Sequence, residues 1–159
     1  MLLMMAPMAV FAQKFGHVNS QEIIQAMPEF ARARTEIEEL TKQYEADLKS
    51  MQEELQKKSE EFEKLPESTP EQIKQRRQQE LQDMYQKIQQ TYQDNQQALQ
   101  KEQQDRFAAI QSKVLEAIKS VGQTGGYVYI MDIASGIPYI STTLSTDVTK
   151  DVKAKLGLK

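Results

Sequence analysis

Reactive chemistry needs a nucleophile, a proton carrier or a metal held by neighbouring ligands, and few residues here could supply one. The chain has one histidine, His17, and no cysteine. Thiolate chemistry and disulfides are therefore excluded, and a cysteine-free chain suits an oxidising compartment. His17 falls in "KFGHVNS" (14–20) with no companion that would complete a ligand set or a base–nucleophile pair. It reads as a packed or rim residue of a strand. Asp132, Asp147 and Asp151 also lack the neighbours of a metal site. Asp132 is placed to end a strand and Asp147 to favour a helix start. "GQTGG" (122–126) has neither the lysine nor the spacing of a phosphate loop. The reading is of a protein that is not an enzyme and uses no metal or cofactor.

Charge narrows the partners. The 159 residues carry a formal net charge of −3, with a pI near 5.3 and a mean hydropathy of −0.65. Nucleic-acid binding normally relies on a basic face, so no nucleic-acid partner is expected. Six glycines, five prolines and 39% apolar residues favour exposed helix over a thick core.

The elements that position these residues follow from periodicity. From Phe30 to Leu65 one apolar row is Phe30, Ile37, Tyr44, Met51 and Leu65, interrupted by Lys58, and another is Leu48, Leu55 and Phe62. Such a repeat marks the seam of a coiled coil. Glu38–Lys42, Glu45–Lys49, Glu53–Lys57, Glu54–Lys58 and Glu60–Lys64 stand four apart in the favourable order on the solvated faces. "LPESTPEQ" (65–72) then breaks the chain. Pro66 stops the first helix near Leu65. Thr69 reads as an N-cap, Pro70 as the first helical residue and Gln72 as a capping-box partner. So short a loop makes the two helices antiparallel neighbours, with 65–70 (Pro66, Thr69, Pro70) as the tip.

The return leg repeats the stripe as Leu81, Met84 or Tyr85, Ile88, Tyr92 and Leu99, then Phe107, Ile110, Val114, Ile118 and Val121. Asn95 and Gln103 fall on seam positions where the register drifts. Fourteen glutamines between Gln72 and Gln104 make this leg polar but little charged. At a rise of about 1.5 Å per residue the outgoing leg spans on the order of 55 Å.

The ends of the chain differ in character. "MLLMMAPMAVFA" (1–12) reads as a cleaved export signal, with the small-residue pattern before Gln13 and no basic n-region, as though the start lay further upstream. It is too short an apolar run to span a bilayer. Residues 13–28 and 122–159 form a small base flanking the arm at 29–121. A strand at 14–18 leads through Asn19 or Ser20 into a short helix, which Pro28 ends. Gly122 is placed to end the return helix. "YVYIMD" (127–132) alternates as a strand, Tyr127, Tyr129 and Met131 on one face and Val128 and Ile130 on the other. "SGIPYIST" (135–142) reads as a turn and partner strand, and "STDVTKDVKAKLGLK" (145–159) as a closing helix with Val148, Val152 and Leu156 inward. So small a base needs a staple, and without cysteine or metal that staple is self-association. Phe15, Val18, Tyr127, Val128, Tyr129, Ile130, Tyr139 and Ile140 are the candidate assembly residues. The fold class is α+β: a long antiparallel helical hairpin inserted in a small β-rich oligomerisation domain.

"FGHVNSQEIIQAMPE", "GGYVYIMD…SGIPYI" and "TDVTKDVKAKL" together resemble the OmpH/Skp family of periplasmic outer-membrane-protein chaperones, over essentially the whole mature chain. The resemblance implies a homotrimer whose β-rich bases form a shared body and whose helical arms enclose a cavity. It further implies a periplasmic, ATP-independent holdase that binds unfolded outer-membrane proteins and prevents their aggregation. Tyr44, Met51, Phe62, Met84, Tyr85 and Tyr92 are candidate client contacts, against a reading as plain seam packing. Well-known members are strongly basic; here residues 29–65 hold 11 acidic against 7 basic side chains, and 70–121 hold 7 against 8. Membrane or lipopolysaccharide contact, attributed to basic relatives, is left open by this acidic balance. The competing readings are a coiled-coil tether or spacer in the cell envelope and a prefoldin-like cytosolic holdase.

Overall fold

The computed structural model describes residues 13–158, so the proposed export signal at 1–12 lies outside them. In chain order the elements are β1 (Lys14–Val18), α1 (Ser20–Ala26), α2 (Pro28–Glu63), α3 (Glu71–Gly125), β2 (Tyr127–Asp132), a 3₁₀ turn (Ile133–Ser135), β3 (Ser145–Asp147) and α4 (Thr149–Lys155). Contacts divide the chain into two units. One joins the residues up to Phe30 with Ala108–Lys159, and the other is Ala31–Phe107.

The second unit is a helical hairpin. Glu36 meets Arg106, while Phe62 and Leu65 line one cleft with Arg77 and Leu81. Numbers that rise on one leg as they fall on the other define antiparallel helices. α2 keeps its stripe: Ile37, Leu40, Tyr44, Leu48, Met51, Leu55, Lys58 and Phe62 are half-buried, and their intervening neighbours are largely exposed. Lys58 thus occupies the seam rather than interrupting it. A two-helix stripe buries little, so much of this unit's order rests on helix propensity and local pairs. Three of the five expected Glu–Lys pairs form, Glu38–Lys42 at 3.0 Å, Glu54–Lys58 at 3.6 Å and Glu60–Lys64 at 3.9 Å. Lys49 turns to Glu53 instead, at 3.8 Å.

The tip follows the prolines with a small shift. α2 ends at Glu63, two residues before Leu65. The first carbonyl of α3 is that of Pro70, which accepts from the N–H groups of Ile73 (2.9 Å) and Lys74 (3.2 Å), while the Thr69 N–H closes a turn onto the Pro66 carbonyl at 2.9 Å. The capping box expected of Thr69 and Gln72 does not form. Pro70 accordingly stands at the cap rather than one residue inside it.

The first unit holds the sheet. Its strands run β2–β1–β3 and all are parallel. Asn19 caps α1 by accepting from the Glu22 N–H at 3.0 Å. Met27 is extended, as a residue before proline prefers, and Pro28 opens α2 where a missing N–H costs nothing. Val18, Ile23, Met27, Ile110, Val114, Ala117, Val148 and Val152 are the buried apolar residues of this unit. They come from β1, α1 and its C-cap Met27, the late part of α3, and α4 with its N-cap Val148.

Three expectations for this unit need correction. The return helix does not stop at Gly122. It continues to Gly125, and Gly126 turns the chain at a φ of +67°, a conformation glycine adopts without steric cost. Residues 135–142 are not a strand: after the 3₁₀ turn, the chain there forms a connection that carries it back to start β3 parallel to β1. The partner strand is Ser145–Asp147, taken from the start of the stretch read as a helix, and α4 begins only at Thr149. A three-residue strand is too short to show alternation.

Candidate functional site

The geometry of β2 decides what the base presents. A register shift lies between Lys14 and Phe15: Lys14 pairs with Tyr127, Phe15 with Tyr129, Gly16 with Ile130 and His17 with Met131. Val128 is the extra residue, a bulge that breaks simple alternation. Tyr127 therefore leaves the face of Tyr129 and Met131 on which alternation had put it. Its ring edge and the Ile130 side chain both lie 3.1 Å from where a Cβ on Gly16 would stand. Val18, another candidate assembly residue, is buried in the core of the first unit.

The opposite face is open. The Phe15 and Tyr129 rings lie 4.9 Å apart, tilted by 31°. Tyr129 is 48% exposed and Met131 47%, and the loop beside them adds Tyr139 (80%) and Leu144 (75%). Together with Ile140 these side chains line a groove of about 290 Å³. Val128 is exposed at the bulge, and Ile130 and Ile140 are half-buried. Of the eight candidate assembly residues, Phe15, Tyr129, Tyr139 and Ile140 gather at this groove. Val128, Tyr127 and Ile130 line a second groove, against Gly122 and Ile118. Met131 shares the face of Tyr129, as alternation had it, although it was not among the assembly candidates; Leu144 was missed, because its place follows from the position of β3.

The polar residues of the base serve its architecture. His17 Nδ1 lies 2.8 Å from the Ser145 hydroxyl, linking β1 to β3. Asp132 accepts from the Ser20 N–H at 3.1 Å, the Ser20 hydroxyl and the Ala134 N–H at 3.1 Å, tying the end of β2 to α1 and the 3₁₀ turn. Asp147 accepts from the Thr149 N–H at 2.9 Å, and the Thr149 hydroxyl in turn accepts from the Asn19 N–H at 3.0 Å. Lys153 reaches Glu22 at 2.6 Å, joining α4 to α1. Among the described residues no group of histidine, cysteine and carboxylates is placed to hold a metal.

In the hairpin unit the six candidate client contacts separate into two sets. Tyr44, Met51, Phe62 and Met84 are half-buried along the seam. Tyr85 and Tyr92 point outward, 56% and 55% exposed. Thr91 takes the seam place expected of Tyr92, and Glu102 that expected of Gln103; Asn95 is on the seam as expected. From Ile88 the half-buried positions run Thr91, Asn95, Leu99, Glu102 and Arg106, intervals of three, four, four, three and four that pass through polar residues and that an apolar count cannot detect. Arg106 fills part of this polar stretch, bonding Glu102 at 2.7 Å and Glu36 across the seam. No helix among the described residues is long and apolar enough to cross a membrane.

Comparison with known proteins agrees with this architecture. The family described as outer membrane protein (OmpH-like) matches residues 14–156. No curated protein matches the chain. Among solved structures it is similar to a candidate outer membrane chaperone (OmpH-like) from Caulobacter crescentus CB15. The TM-score is 0.77 at 14% identity, covering 91% of this chain and 83% of that one.

Proposed function

The chain belongs to the OmpH-like outer membrane protein family, and from that membership we propose that it is a periplasmic, ATP-independent holdase for unfolded outer-membrane proteins. It works as a homotrimer assembled through the open face of the sheet. The uncovered groove of Phe15, Tyr129, Met131, Tyr139 and Leu144 is the observation that carries the reading. Apolar surface of this kind on a subunit so thinly cored favours a matching copy over water. Copies brought together in this way would set their hairpins around a shared space.

An unfolded barrel protein presents alternating apolar residues and unpaired backbone groups, which aggregate in water. A polar hairpin with scattered aromatic side chains makes many weak contacts, strong in sum and individually reversible. Release then needs no nucleotide. Export by the segment at 1–12 places the chain where such clients pass.

The test is light scattering as a urea-unfolded outer-membrane barrel is diluted into buffer. Stoichiometric protein without nucleotide is expected to suppress the aggregation. Unchanged scattering would favour the tether.

A further inference from the structure

Helical geometry at 100° per residue sorts the surface of α3 between Gln75 and Gln104 into two halves. Arg76, Arg77, Glu80, Asp83, Lys87, Asp94, Lys101 and Glu102, the charged residues of this stretch, fall on one half, and the seam follows its edge, with Leu81, Ile88 and Leu99 just across it. The other half carries no charge. Its midline is Gln78, Gln82, Tyr85, Gln89, Tyr92 and Gln96, spaced four, three, four, three and four, and every one is exposed. At its border Gln79 and Gln90 donate to Asp83 and Asp94, each at 2.8 Å, so that the nearest carboxylates are occupied. The sector runs for about 45 Å along the helix.

We propose that this charge-free sector of α3 is the surface that takes an extended, unfolded polypeptide, recognised through its backbone rather than through its charge. The proposal rests on the holdase reading and adds the chemistry of its client site. Each glutamine offers two donors and an acceptor, the groups an unpaired peptide unit lacks. The two phenol rings, two turns apart on one line, give flat apolar contact with a polar end. A barrel strand of roughly 10 residues at about 3.4 Å each fits within the sector's length. The matching of charge is decisive among occupants: a nucleic acid or an anionic membrane would require cations, which the sector lacks. A second hairpin would require an apolar repeat, and two tyrosines among glutamines do not supply it.

The experiment measures binding of a fluorescent, urea-unfolded barrel protein to three forms of the full chain. They are the natural sequence, Tyr85→Ala with Tyr92→Ala, and Gln82→Glu with Gln89→Glu and Gln96→Glu. All the altered positions are exposed and glutamate matches glutamine in helix propensity, so circular dichroism should be unchanged. The natural chain is expected to keep its affinity within about twofold between roughly 50 and 500 mM salt, a range that screens charge pairs strongly. Both variants are expected to bind about tenfold more weakly. Equal binding by all three forms overturns the sector while leaving the holdase reading intact. A steep loss of affinity with salt in the natural chain also overturns it, since charge would then be the attraction. No binding by the natural chain removes the holdase reading itself.

Discussion

Asp147 shows how the carboxylates of this protein act. Burial alone would push its carboxyl up, but the Thr149 hydroxyl and N–H, with the charges of His17 and Lys150, outweigh that and hold it below the ordinary carboxylate value. A depressed folded value stabilises the fold above the unfolded carboxylate value of about 3.9, and the contribution is lost as pH falls through the folded one. Asp147→Asn is expected to flatten the fall in urea midpoint between about pH 5 and pH 2.5, whereas Asp147→Ala should also cost about 1 kcal/mol at neutral pH. An unaltered acid profile in Asp147→Asn would remove the carboxylate from the account. Asp132, with three donors on its two oxygens, should cost more: on the order of 2 kcal/mol for Asp132→Ala, read from the same unfolding curves. The type of each residue was informative from sequence, since an aspartate after a strand or before a helix suggests a cap. Its partners were not, because Ser20 and Asp132 lie 112 positions apart.

At the scale of elements, sequence was most informative where physical rules are local. The prolines at the tip, the asparagine before α1 and the α2 stripe could be placed within a residue or two, because each depends on its immediate neighbours. The return stripe was harder. Between Ile88 and Arg106 the seam is occupied by Thr91, Asn95, Leu99 and Glu102, and apolar periodicity fades where three of four seam residues are polar. Asn95→Leu is therefore expected to raise stability by about 1 kcal/mol, seen as a higher urea midpoint, as its side chain adds apolar burial between the legs. No gain would mean that the legs are not packed there. The base sheet was least legible. The bulge at Val128 reversed the face of Tyr127, and β3 is fixed by its pairing with β1 rather than by its own three residues. Gly126→Ala should cost about 1 kcal/mol or more at the turn, because its φ of +67° disfavours a Cβ.

At the scale of the whole molecule the account depends on self-association. The α+β architecture and the OmpH-like family agree with the sequence reading because element order is set by long runs of pattern, which survive local errors. The exposed apolar face was only half legible: alternation put Tyr129 and Met131 together, while Leu144 joined them through the fold. Tyr139→Asp with Leu144→Asp places two charges on side chains that are exposed in the single chain. The subunit fold should persist by circular dichroism while sedimentation falls from trimer to monomer. Native mass spectrometry of the natural chain mixed with a urea-unfolded outer-membrane barrel, without nucleotide, tests the central claim most directly. The account predicts a dominant species of three copies with one client, and a client-free monomer beside precipitated barrel would contradict it.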